Sequence, residues 1–297
     1  MSHDLFLALD IGTTNVKGAV FQLGRGIPLD SIARRVSLYT NEENMVAEQD
    51  PKEINLAVEE VISYFTKKYG SDKISTIFLS SQMHAFGVMD GEGRPKTRLL
   101  TYFDTRSREV LPEIEVRSYE LYTRTGCPPL HIYPLAKILL AKRRGWVTSS
   151  DKLLLSAKDY VIFKMTGQHA LDLSTASGSQ LLNVHQLKWD DLALEISGVD
   201  DAQLPEALEG SKTLLPLSGE FANKVGLSPE VEVYTGVSDA TANQLGVGSV
   251  THETIAINIG TSAAVRFLLP QPLIDDSRMR FFVYYAGNKK ETQLLHF

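Results

Sequence analysis

Hydrophobic positions recur on two different periods along this chain, and the change of period marks its elements. "LFLALD" and "NVKGAVF" are short apolar runs on either side of Gly12, Thr13 and Thr14, which predicts strand, tight turn, strand. "EQDPKEINLAVEEVISYFTKKYG" follows a helical period instead, with Ile54, Ala57, Val58, Val61, Ile62 and Phe65 on one stripe. Asp50 is placed to cap that helix, Pro51 suits its first position, and Glu53 completes a capping-box pattern. "ISTIFLS", residues 74–80, predicts a buried strand that runs into the loop "SQMHAFGVMD" and another short strand. Residues 102–227 read as helical and loop-rich, with helices expected over 104–119, 134–144, 157–165 and 190–197. Ser156 and Gly167 are the expected caps of the third. The strand period returns at 231–235, and "GVSDATANQLGVG" predicts a glycine turn leading into a short helix. Strands alternating with helices place the chain in the α/β class, with a mixed sheet and a helical insertion.

One phrase occurs twice. "LDIGTTNVK" near the start returns as "INIGTSAAV" at residues 257–265, each an apolar run broken by an acid or amide, Ile, Gly and two hydroxyl residues. The repetition suggests two related half-structures facing one another. Charge and composition narrow the partners. A net charge of -6, with a single short basic cluster at residues 142–144, argues against a nucleic-acid protein. The single cysteine, Cys127, forbids an intramolecular disulfide and favours a reducing compartment. "MSHDLFLALD" lacks the pattern of a secretory signal and no apolar run approaches membrane length, so a soluble cytoplasmic protein is expected.

The candidate chemistry sits at the strand ends. In "DIGTT" a carboxylate, a glycine and two hydroxyls share one hairpin tip, which suits a phosphate and Mg²⁺: glycine permits close approach, backbone N–H groups can form an anion nest, and the carboxylate suits a hard cation. A plain β-turn explains the same residues. The second copy shifts the balance, because Asn258 replaces the acid while Gly260, Thr261 and Ser262 keep the small and hydroxyl positions. One carboxylate suffices for a Mg-nucleotide and a second would repel its phosphates. Asp239 follows the strand "VEVYTG" and opens a helix, where the positive end of the dipole favours an ionised carboxylate able to accept a proton; the plainer alternative is N-capping. Met83, His84, Asp104 and Arg106 interleave polar and apolar groups as a polyhydroxylated ligand requires, although Asp104 and Arg106 could equally be a helix cap and a surface ion pair. Cys127 has no partner suggesting a nucleophile and is expected to be structural. The sequence contains neither a Walker A phrase nor G-x-G-x-x-G.

"LALDIGTTNVKGAVF", "SSQMHAFGVMD", "TYFDTRS", "SAKDYVIFKMTG", "DLSTASGSQLLN", "GVSDATANQLGVG" and "INIGTSAAV", in this order, resemble the FGGY carbohydrate kinases. That resemblance implies an actin-like ATPase (ribonuclease H-like) fold, with a complete first domain over 1–247, sugar-binding, and the beginning of a nucleotide-binding second domain over 248–297. Within the family "RTGCPPLHIYPLAKILL" and the pair Ser238-Asp239 look most like gluconokinases, which implies ATP-dependent conversion of gluconate to 6-phosphogluconate. Xylulokinase or another ketose kinase is the alternative, and a truncated, non-catalytic sugar-binding protein is the alternative of another class. By resemblance Asp10 would hold Mg²⁺ through water, Gly12, Thr13, Thr14, Gly260 and Thr261 would contact the phosphates of ATP, and Lys17 would lie near them. Asp239 would be the catalytic base, with Met83, His84, Asp104 and Arg106 on the sugar side. The expected partners are a sugar or sugar acid and ATP, without membrane or nucleic acid, and a homodimer is compatible with the resemblance. Tyr102-Phe103 stands where the family often has tryptophan, and Ala263 where it often has glycine.

Overall fold

A computed structural model of the chain describes residues 5–259, 263–275, 277–287 and 293–296. Its centre is a six-stranded sheet. The strands are β1 (Leu5–Ile11), β2 (Asn15–Gln22), β3 (Asp30–Arg35), β4 (Ile74–Ser81), β5 (Leu214–Pro216) and β6 (Glu232–Ser238), in the order β5-β6-β4-β1-β2-β3. β1, β4 and β6 are parallel neighbours, while β2, β3 and β5 run antiparallel to theirs. The expected stripe of the helix α1 (Pro51–Tyr69) is buried along its whole length. It packs so close to β2 that a Cβ on Gly18 would lie 2.3 Å from Val61.

Asp50 caps α1 by accepting from Lys52 N–H at 2.8 Å. Glu53 does not close the expected capping box. Its carboxylate reaches instead to the Ser37 amide and hydroxyl, both at 2.8 Å, and so ties the chain after β3 to the helix. β3 itself has no sequence signal beyond a weak alternation, because one of its faces is open to water.

The helical middle holds α2 (Pro134–Arg143), α3 (Ala157–Thr166), α4 (Leu173–Ser177) and α5 (Gly219–Val225). Ser156 and Gly167 cap α3 as expected, the glycine at φ 77°. Asp190 caps a helix over Asp191–Ser197. The single helix expected over 104–119 is instead a 3₁₀ turn, Arg106–Val110, followed by short helices at Leu111–Glu115 and Ser118–Thr125. Pro112 has no N–H to give Arg108, so the α-helical ladder cannot run through it, and Leu111 N–H turns to the Arg108 carbonyl instead. The same region contains strands of two or three residues, such as Lys152–Leu154 and Ala170–Asp172, too short to print a period of two.

The repeated phrase forms a second hairpin, β7 (Ile255–Ile259) and β8 (Ala263–Leu269), preceded by α6 (Asp239–Gly246). With β9 (Phe282–Tyr285) and β10 (Gln293–His296) it makes an antiparallel sheet in the order β7-β8-β10-β9. β9 packs back onto the first body: Val283 N–H donates to Gly126 O at 3.0 Å and Tyr285 N–H to Ser177 Oγ at 2.9 Å. Gly126 is needed there, because a Cβ would meet Val283 at 2.6 Å. β7 is an edge strand whose Ile255, Ile257 and Ile259 are exposed.

Candidate active-site cleft

The carboxyl ends of β1, β4 and β6 point the same way, the arrangement in which α/β sheets bind ligands. Asp10 pairs in register with Ser80 of β4, and Ser80 with Val237 of β6, so Asp10 and Asp239 flank one strand end. They line a cleft of about 650 Å³ together with Lys17, Asn243, Asn258 and Arg266. Both halves of the repeat therefore reach it, Asp10 from the first hairpin and Asn258 from the second. Gly260 and Thr261, the other expected phosphate contacts, lie outside the described residues, as does Ser262.

Asp239 is not the helix cap. Ser238 caps α6, accepting from Thr241 N–H at 3.3 Å, which leaves Asp239 at the first helical position with its carboxylate open to the cleft. Burial among the cleft walls pushes that carboxyl up to about 6, the nearby Asp10 adding to the rise while the Ala240 amide, Arg266 and Lys158 oppose it. Cleft water still reaches the side chain, which tempers the effect of burial. Desolvation also raises Asp10, against Lys17, whose ammonium lies 3.8 Å away. Lys17 is largely exposed.

At the first hairpin tip Gly12 does not offer a free amide: its N–H closes the turn on Asn15 O at 3.0 Å. No hydrogen bond among the described residues takes the amides of Thr13 and Thr14. The tip is braced from behind, since Thr13 Oγ1 donates to Gln82 Oε1 at 2.7 Å and Gln49 Nε2 to Thr13 O at 2.9 Å, while Gln82 donates to Gln49. Gln49 and Gln82 carried no local signal, because their partners are distant in the chain.

On the sugar-expected side, Met83 is buried with Tyr133, Tyr284 and Ala240, the residue next to Asp239. His84 is held with φ 65° and its Nδ1 lies 2.7 Å from Gly178 O. A Cβ on Gly178 would press on the end of the Met83 side chain and lie 3.2 Å from His84 Cε1. Asp104 and Arg106 do not join the cleft lining. Asp104 is fully buried and receives Arg106 Nε at 3.0 Å and Nη2 at 2.6 Å, and Arg106 is also paired with Glu48 at 2.5 Å. They are an ion pair, as one reading of the sequence allowed, but a buried one. The two loops are joined by Lys137, whose buried ammonium donates to His84 O and, at 2.8 Å, to Thr101 O.

The N-terminal domain of the FGGY family of carbohydrate kinases matches residues 5–246. The chain belongs to this family. Gluconokinase from Bacillus subtilis (strain 168) is 33% identical over 287 residues, 95% of this chain and 55% of that protein. Among solved structures, gluconate kinase from Lactobacillus acidophilus superposes with a TM-score of 0.90 at 30% identity, covering 98% of this chain and 59% of that one. A ligand-bound xylulose kinase from the same organism gives 0.91 at 30%, with the same coverage. The chain thus spans about half the length of the curated relatives it matches. The fold is that of the actin-like ATPases.

Beneath Asp239 the FGGY chain carries a buried charged platform. Lys158 and Asp172 are both fully buried with Nζ and Oδ2 2.5 Å apart. Lys158 also donates to Val237 O at 2.9 Å, and Asp172 Oδ1 caps α4 through Thr175 N–H at 2.8 Å. Ser174 Oγ accepts from the Ser238 amide at 3.1 Å. Strand end, helix start and charge pair are thus one hydrogen-bonded unit. Burial lowers the Lys158 ammonium, against the pull of Asp172. Lys158→Met strands the Asp172 carboxylate without its cation and is expected to lower unfolding free energy by about 3–5 kcal/mol in a urea titration. A loss below about 1 kcal/mol, the worth of a surface pair, would remove the platform from this account.

Cys127 is fully buried, its thiol donates to Ser177 O at 3.4 Å, and burial pushes its pKa up to about 12, which fits an inert core position. Among the described residues no cluster of three His, Cys, Asp or Glu could hold a metal, and no helix is long and apolar enough to cross a membrane.

Proposed function

We propose that this chain carries the acceptor-binding and catalytic part of a cytoplasmic kinase that transfers the γ-phosphoryl group of ATP to a terminal hydroxyl of a sugar acid, with gluconate the first candidate. The observation that supports this reading is the shared cleft, where Asp10, Asp239 and Asn258 meet from three separate parts of the chain. Residues 1–247 would form the sugar-binding domain and 248–297 the start of the nucleotide-binding one, with β9 latching the second onto the first.

In this reading Asp239 orients the acceptor hydroxyl and takes its proton. The amides of Thr13 and Thr14, with the hairpin tip around Gly260 and Thr261, receive the phosphates, and Lys17 adds charge at that end. Met83 and His84 shape the acceptor pocket, and Asp104 and Arg106 hold its outer loop. Mg²⁺ would be held by Asp10 through water; a half-exposed carboxylate that belongs to no cluster of three candidate ligands among the described residues fits an ion that arrives on the nucleotide. Bound, it would neutralise phosphate charge. Positioning and charge neutralisation then supply most of the catalysis, as a loose phosphoryl-transfer transition state requires.

Likeness to the xylulose kinase favours a ketose as the second acceptor class. A coupled ADP-release assay over gluconate, xylulose and glycerol, with calorimetry of each sugar alone, separates the cases. Turnover greatest on gluconate is expected. Turnover greatest on xylulose would move the chain to the ketose kinases, and a bound sugar with no turnover would make it a binding protein. Gel filtration tests the homodimer independently.

A further inference from the structure

We infer that Arg266 is the carboxylate-binding residue of the cleft and selects a sugar acid over a neutral sugar. The inference rests on the sugar-kinase reading and names the acceptor class within it. Arg266 lies on β8, paired in register with Ala256 of β7, and lines the same cleft as Asp239. Its Nε is buried without a hydrogen-bond partner, and no ion pair engages its guanidinium among the described residues. Arg106, by contrast, largely withdrawn from solvent, is answered by Asp104 and Glu48. A half-buried guanidinium with unanswered donors pays a desolvation cost that an anionic ligand would offset.

The position favours a carboxylate on the acceptor over a phosphate on the donor. The charged or polar groups that act on Arg266 are Asp239 and Tyr284. Tyr284 belongs to the acceptor side, with its ring centroid 5.9 Å from that of His84 and its hydroxyl 3.4 Å from that of Tyr133. Lys17, by contrast, stands beside Asp10 at the first hairpin. The cleft lining thus holds two acids, Asp10 and Asp239, and two cations, of which Lys17 already faces an acid at close range. An anionic acceptor entering beside Asp239 meets like charge unless Arg266 answers it. A planar guanidinium does so bidentately, and an open-chain sugar acid can engage it at one end while presenting its terminal hydroxyl to Asp239 at the other.

Calorimetry on the whole chain decides the matter, using gluconate, its neutral counterpart glucitol, and MgADP, with wild type, Arg266→Gln and Arg266→Lys. Wild type is expected to prefer gluconate to glucitol. Arg266→Gln should weaken gluconate by roughly tenfold or more while leaving glucitol and MgADP within about twofold, the scale of losing one charge-assisted pair. Arg266→Lys should fall between, and its thermal unfolding checks that the fold persists. Equal losses for gluconate and glucitol would mean packing, and a loss confined to MgADP would mean phosphate binding; either overturns the assignment. If wild type binds xylulose but not gluconate, this inference fails while the kinase reading stands. If it binds no sugar at all, both fail.

Discussion

Asp239→Asn is expected to reduce phosphoryl transfer by roughly a thousandfold, within the range for removing a positioned general base, while sugar affinity changes little. The amide keeps the shape of the side chain, and Ser238 rather than Asp239 caps α6, so the helix start should survive the change. The wild-type rate should also carry an acid limb. The carboxyl is pushed up to about 6, chiefly by burial, so below that pH it holds a proton and cannot accept one from the acceptor; activity should rise as pH increases through about 6. A variant that turned over normally would assign the base to another residue, and a rate flat from pH 5 to 8 would remove ionisation of Asp239 from the mechanism.

Gly236→Ala is expected to cost about 3 kcal/mol of stability or more, read as a lowered urea midpoint at unchanged slope. Gly236 sits at φ 75° in the irregularity that interrupts β6 between Tyr234 and Val237, and a Cβ would fall 1.7 Å from the Leu79 carbonyl oxygen of β4. Neither strand can yield there without losing the pairing that sets Asp239 at the cleft, so turnover should fall along with stability. A fully stable variant would mean that the strand relaxes elsewhere and that the bulge does not set the position of Asp239. The sequence suggested a glycine turn at this point. The glycine lies instead inside a strand, because the bulge serves a close approach between β4 and β6 that no local pattern announces.

The positions read most directly were those decided by local chemistry. The α1 stripe, its Asp50 cap, the caps of α3 and both hairpins follow from side chains that meet within a few residues of one another. Glu53 misled because its best partner, Ser37, belongs to another segment, and residues 104–119 misled because Pro112 broke a stretch whose composition suits a helix. Of the sugar-side candidates, Met83 packs with Ala240, next to Asp239, and His84 lies against Tyr133 and Tyr284, whereas Asp104 and Arg106 satisfy each other. A short carboxylate–guanidinium spacing has the same appearance in sequence whether the pair faces a ligand or itself.

The sequence by itself determined the repeated hairpin, the acid at the first tip and the amide at the second, the apolar face of α1 and, through its ordered motifs, the family. Each of these is a property of residue type and spacing, and survives without coordinates. Only the tertiary structure decided that Asp10, Asp239, Asn258 and Arg266 open onto one cleft, that Lys158 and Asp172 support it from beneath, and that Arg266 arrives there with its buried Nε lacking a hydrogen-bond partner. Burial and electrostatic pairing depend on which distant segments come to lie against a side chain, and a charged residue acquires its chemical role only when that neighbourhood is fixed.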